Sequence, residues 1–143
     1  MKQFQRGVAI LEFALVVPFL LVMTFLVTEF GRAIYQYNTL TKSVRDAARY
    51  LSIQTPNTHV TEAQNLVVYG NTAGTGTPLA IGLTTSQVSV SWPLPTGSAP
   101  AISMVDVQIS GYSFQSILLS AFGLPFGTVP YAAIQATMRS QTS

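Results

Sequence analysis

Cysteine is absent from the chain, and histidine occurs once, as His59. The first absence excludes a disulfide framework and any thiolate metal site. The second leaves a metal ion without a second nitrogen ligand. Charge is also scarce, at 8% of residues against about 25% in ordinary soluble domains. A free globule needs charge to stay in solution. So low a density fits a chain that is partly sunk in a membrane and partly packed against neighbours.

The small charge complement is also unevenly placed. Net charge is +2 and the isoelectric point is about 9.2. The basic residues are Lys2, Arg6, Arg32, Lys42, Arg45, Arg49 and Arg139, all but the last before Tyr50. They are too sparse to neutralise a phosphate backbone, so nucleic acid is not an expected partner. From Leu51 onward only Glu62, Asp106 and Arg139 are charged. A Ser-His-Asp triad can be drawn on paper from His59, Asp106 and a serine, but no nucleophile-elbow sequence accompanies it. Asp46, Glu62 and Asp106 are likewise too few and too scattered to suggest paired carboxylates. The Gly- and Thr-rich stretch Gly70–Thr77 lacks the Lys-Ser/Thr of a phosphate loop and follows no strand. The expectation is no catalytic residue, no metal, no cofactor, no small-molecule substrate and no enzyme.

The chain is rich in apolar residues, at 48% with a mean hydropathy of +0.39, and their densest run is N-terminal. Lys2 and Arg6 precede Gly7, after which Val8–Phe30 runs for 23 residues. A bilayer span needs about 20 residues at about 1.5 Å each. Leu, Val, Phe and Ile surround the whole helix, the pattern of lipid contact rather than of a one-sided core. Leading positive charge places Met1–Gly7 in the cytoplasm and the chain beyond Phe30 outside, although Arg32 and the basic residues from Lys42 weigh the other way. Pro18 removes a backbone donor and is expected to bend the helix. Glu12 is a carboxylate inside the apolar run, either solvated at headgroup depth or held by a partner. Glu29 lies at the far, interfacial end. A cleavable secretory signal fits less well, because the run is long and Gly31-Arg32-Ala33 is a poor small-x-small site.

The order basic leader, glycine, four apolar residues, glutamate, aromatic is spelled out by Arg6-Gly7-Val8-Ala9-Ile10-Leu11-Glu12-Phe13. It resembles a type IV prepilin processing site. The wider stretch Arg6–Leu51 resembles the TadE-like pseudopilins of tight-adherence pilus systems, through Gly7, Glu12, Phe13, Pro18, Glu29, Phe30, Gly31 and Asp46-Ala47-Ala48-Arg49-Tyr50. The resemblance implies cleavage by a prepilin peptidase between Gly7 and Val8. It implies that Glu12, with Phe13, serves neighbour recognition, the carboxylate neutralising an N-terminal amine in a growing fibre. It also implies a bacterial inner-membrane location, other pilins and pseudopilins as partners, and a role in assembling fibres for adhesion and biofilm formation. Two alternatives stand beside it: an unprocessed single-pass anchored binding protein, and a pseudopilin of a type II secretion system.

Three segments are expected: a leader at 1–7, a transmembrane helix at 8–30 and an extracytoplasmic domain at 31–143. Gly31 is a candidate bend. Ile34, Tyr37, Leu40 or Thr41, Val44, Ala48 and Leu51 then form an apolar helical stripe, with Arg45, Asp46 and Arg49 on a solvated face. A helix continuous from Val8 to Leu51 would be roughly 66 Å long. Thr55-Pro56-Asn57 ends it. A short helix over Glu62–Tyr69 comes next, with Thr61 as cap and Gly70 as stop, then a mobile surface loop at Gly70–Thr77. Period-two alternation marks strands at Gln87–Trp92, Met104–Tyr112 and Tyr131–Arg139. Pro93–Gly97 reads as a turn and Phe114–Phe122 as a short helix or apolar loop. Ser116–Phe126 reads as core, with a partner-binding or membrane-surface patch as the alternative. Helix first and strands afterwards give an α+β fold, a helix packed on a small antiparallel sheet in the manner of a pilin.

Overall fold

The computed structural model describes residues 4–93, 102–117 and 128–141. The turn expected at Pro93–Gly97 falls outside these residues from Leu94 on, as does the apolar stretch Ser116–Phe126 beyond Ile117. The architecture is α+β. A long helix α1 (Phe4–Ser52) is followed by α2 (Val60–Tyr69), a short 3-10 turn (Thr85–Gln87) and five strands. These are β1 (Val88–Ser91), β2 (Met104–Ile109), β3 (Ser113–Gln115), β4 (Thr128–Pro130) and β5 (Ile134–Arg139). The chain divides into two compact units, Met1–Ile34 and Tyr35–Ser143.

Gly31 does not interrupt α1. Its Cβ position meets nothing within 4 Å, and one glycine costs a helix only about 1 kcal/mol, which its long apolar flanks absorb. Past Tyr35 the helix is one-sided. Leu40, Val44, Ala47, Ala48 and Leu51 are fully buried, while Lys42, Arg45, Asp46 and Arg49 face outward. Ile34 and Tyr37, expected on the buried stripe, remain exposed. The helix stops at Ser52, whose carbonyl accepts the backbone N–H of Gln141 at 2.7 Å. That bond fills a helix-end acceptor from the far end of the sequence.

The second helix starts two residues earlier than expected, at Val60, and without a Thr61 cap. His59 holds the N-cap position in the left-handed region (φ 55°) and makes no side-chain capping bond. Gly70 closes the helix in the same region (φ 74°), its N–H bonding to the Leu66 carbonyl. Here glycine is favoured, since a side chain at that φ is strained. The loop after it is braced rather than bare. Asn71 accepts from the Thr75 N–H at 3.2 Å and donates to the Thr75 carbonyl at 2.7 Å, and Asn65 donates to the Thr72 carbonyl at 3.2 Å.

The three longer strands form an antiparallel sheet in the order β1-β2-β5. The register aligns Val88 with Ile109 and Ile134, then Val90 with Val107 and Ala136. Those rows, with Val105, pack against α1 and α2 as the core. The opposite rows are Ser89–Gln108–Gln135 and Ser91–Asp106–Thr137. This is the in-out alternation of a sheet buried on one face. Several strand boundaries shift from expectation: β1 is trimmed to Val88–Ser91 and β2 ends at Ile109 rather than Tyr112. Phe114 lies in a strand, not a helix or loop, because Ser113–Gln115 pairs with Thr128–Pro130 in a second two-stranded ladder. Tyr131 still bonds to Tyr112 beside that ladder, so β5 begins only at Ile134.

Candidate functional site

Among the described residues, one helix is long and apolar enough to cross a membrane, with a mean hydropathy of 2.6 in its most apolar window and none of that window buried. From Gly7 to Ile34 no residue is buried. Val8 is 65% exposed, Phe13 69% and Leu15 78%. A helix apolar on every side and covered on none gains nothing from its own chain. Its hydrophobic surface is placed for a non-aqueous surround or for other helices.

The polar groups in this stretch are few and mostly self-satisfied. Thr24 donates its hydroxyl to the Leu20 carbonyl at 2.8 Å, and Thr28 to the Thr24 carbonyl at 2.9 Å. Such back-bonding removes the cost of carrying a hydroxyl into hydrocarbon. Pro18 sits inside the helix. It has no N–H, so the Ala14 carbonyl loses its intrahelical donor, a defect that membrane helices tolerate. Glu12 is exposed on the helix surface, one turn from Val8 on the same face. Gly7 is helical, and a Cβ there would meet nothing within 4 Å. Packing within this chain therefore does not explain a glycine at position 7.

At the far end of the run Arg32 Nη2 lies 3.1 Å from Glu29 Oε2, with the two side chains 29% and 19% exposed. Sequence reading treated the two charges separately. Their spacing of three residues was the available signal, since that separation puts them on one helical face.

In the second unit the groups that chemistry would need have structural partners. His59 Nδ1 lies 3.2 Å from Glu62 Oε1, and the His59 ring meets Tyr50 edge-on at 6.2 Å. The Glu62 carboxyl is held below its ordinary value, chiefly by its own backbone N–H, against an opposing effect of desolvation and with further help from the His59 hydrogen bond and charge. Asp106 accepts from Gln135 Nε2 and Thr137 Oγ1, both at 2.8 Å, on the polar face of the sheet. The structure thus brings His59 to Glu62 and gives Asp106 different partners. Among the described residues no three His, Asp or Glu side chains gather as a metal site would require. A shallow pocket of about 210 Å³ opens between Lys42 and Asp46 of α1 and Leu66 of α2, below the usual size of a ligand cleft.

Sequence reading also missed a tether under the aromatic cluster. Gln36 Nε2 donates to the buried Tyr112 hydroxyl at 2.6 Å, which donates to the Ile81 carbonyl at 2.9 Å. Tyr131 packs edge-on against Tyr37 at 5.5 Å and stacks on Phe114 at 6.3 Å. These partners are far apart in sequence, so no local pattern announced them.

The family model described as TadE-like protein matches residues 7–49. The matched stretch contains Gly7, Val8, Glu12, Phe13 and Pro18, the Glu29–Arg32 pair and most of the buried face of α1. The resemblance read from those residues is shown over this segment. No curated protein and no solved structure matches the chain.

Proposed function

We propose that this chain is a minor pilin-like subunit, a pseudopilin that supports assembly of a tight-adherence pilus and so adhesion and biofilm formation. It is anchored in the bacterial inner membrane by Val8–Phe30, with Met1–Gly7 in the cytoplasm and the α+β domain outside. A prepilin peptidase cuts it between Gly7 and Val8. It acts by contact with lipid and with other pilins and pseudopilins, and catalyses nothing itself.

The observation that carries this reading is the coincidence of the TadE-like match with an uncovered apolar helix bearing a glycine that packing within the chain does not require. Glycine is the residue at which a helix most readily opens to an extended form, and it lets a peptidase approach the backbone closely. Cleavage there leaves an ammonium on Val8 at the positive end of the helix dipole, an unfavourable place for a cation. The Glu12 carboxylate, one turn along the same face, offsets that charge in its own chain or a neighbouring one. A carboxylate inside an apolar run is costly until it finds such a partner.

The test is the intact mass and N-terminal residue of the protein purified from membranes of its own host. A chain that begins at Val8 is the expected result. One that begins at Met1 removes the processing step and leaves an ordinary anchored protein. A start beyond Phe30 makes the run a secretory signal and overturns the reading.

A further inference from the structure

The hydrogen bonds at the rim of the three-stranded sheet show which way its backbone groups point. Ser140 donates its N–H to the Ser103 carbonyl at 2.8 Å, one step beyond the pairing of Arg139 with Met104. Facing residues of an antiparallel pair alternate between bonded and non-bonded. Ile134, Ala136 and Met138 therefore bond to β2, while Gln135, Thr137 and Arg139 turn their N–H and C=O groups outward. Gln141 continues the outward row, and its N–H is taken by the Ser52 carbonyl at 2.7 Å. Among the described residues, nothing pairs with the outward backbone groups of Gln135, Thr137 and Arg139.

The opposite edge is blunted. The Ser110 N–H bonds to the Gln87 carbonyl at 3.0 Å, which by the same alternation turns Val88 and Val90 of β1 outward. Gln64 of α2 donates to the Val88 carbonyl at 3.0 Å. The strand has only four residues, and Pro93 follows shortly after it. Short length, proline and a covering helix are the usual protections of a sheet edge. β5 lacks the first two: it has six residues, none of them proline, and its one charge is Arg139. An open edge of this kind accepts an added strand through its main chain.

We propose that the outer edge of β5 docks β5 of a second copy of this chain, the two strands antiparallel about a two-fold axis at Thr137. The edge is self-complementary in that register. Thr137 faces Thr137 of the second copy and Gln135 faces its Arg139, so every outward N–H and C=O of the three residues finds a mate. Moving the axis toward the C-terminus requires the Gln141 N–H, which Ser52 already holds, and at Arg139 it sets like charges face to face. Moving it toward the N-terminus leaves Arg139 opposite residues before Ile134, where β5 has not begun. On the other face Ala136 meets Met138 of the second copy. Both are half-buried residues packed against the core, so the apolar layer continues across the joint. The edge belongs to the α+β domain, and the inference does not depend on the pilus reading.

The absence of cysteine makes the test direct. Single-cysteine variants of the full chain, T137C, Q135C, R139C and S89C, are oxidised in the membranes of expressing cells, and dimers are read by mass. All four positions are exposed on the polar face of the sheet. In the proposed register the two Thr137 positions face each other at a Cα separation of about 5.5 Å, within disulfide reach. A cysteine at 135 or at 139 lies four residues along the strand from its own counterpart, about 13 Å away, but directly opposite the other position. The expected result is a dimer of twice the chain mass for T137C, several-fold above S89C on β1. Q135C and R139C should each give little dimer alone and several-fold more when co-expressed. T137C at the S89C level, equal dimer at every position, an adduct of another mass, or failure of the mixed pair each overturns the inference while leaving the proposed function standing.

Discussion

At the scale of single residues, Gly7 and Glu12 stand out because the folded chain makes no use of them. Gly7 has open space where a side chain would go, and alanine there would favour the helix by about 1 kcal/mol. Replacing Gly7 by tryptophan should leave the fold intact and most of the protein at its precursor mass; a normally processed Gly7→Trp protein would remove the cleavage claim. Glu12 faces outward in a stretch otherwise free of charge. Glu12→Ala deletes a charge whose burial is costly, so membrane insertion should not suffer. The expected outcome is a chain cut after Gly7 that supports few or no pili. Counting fibres by electron microscopy checks it, and wild-type numbers would count against the pairing role.

At the scale of elements, the informative joints are those that tie helix to loop and helix to helix. Tyr112 joins α1 to the segment before β1 through two hydrogen bonds of its hydroxyl, at 2.6 and 2.9 Å. Tyr112→Phe keeps the ring contacts and deletes both bonds, leaving partly buried partners unsatisfied. The expected cost is about 1–2 kcal/mol, read as a thermal midpoint several degrees lower in the detergent-solubilised chain. The start of α2 carries a pH dependence. Because the folded state lowers the Glu62 pKa, the ionised form favours folding. That contribution is complete above the ordinary carboxylate value of 4.5 and is lost as pH falls through the lowered one. The effect is modest, because the group is solvated. Thermal midpoints taken from about pH 6 to about pH 3, a range bracketing carboxylate titration, should fall less steeply in Glu62→Gln than in the wild type.

At the scale of the whole molecule, every buried core residue among the described residues lies at or beyond Leu40, within the unit Tyr35–Ser143. A core supplied entirely from one unit should not need the other in order to form. A fragment from Tyr35 to Ser143 is therefore expected to be soluble, helical by circular dichroism and cooperative in its thermal unfolding. A fragment that aggregates or melts without a transition would show that Met1–Ile34 contributes to folding as well as to anchoring.

Much of this was legible in the residue pattern, for physical reasons. The long apolar run, the position of Gly7 and Glu12 within it, the stripe from Leu40 to Leu51 and the alternation of Val105, Val107 and Ile109 are periodic signals, and periodicity is local. Other features needed the tertiary structure because they pair distant residues. Phe114 gave no strand signal of its own; it became one through pairing with Val129. The Tyr112 tether and the Gln141 bond to Ser52 join points that no spacing rule connects. Gly31 looked like a bend in isolation, yet the helix ran through it. By itself the sequence determined which surfaces are apolar and where the chain carries an unused glycine and a lone carboxylate. Tertiary structure alone decided that the N-terminal face is left uncovered while the C-terminal half of the same helix is buried, since burial depends on what the rest of the chain folds against.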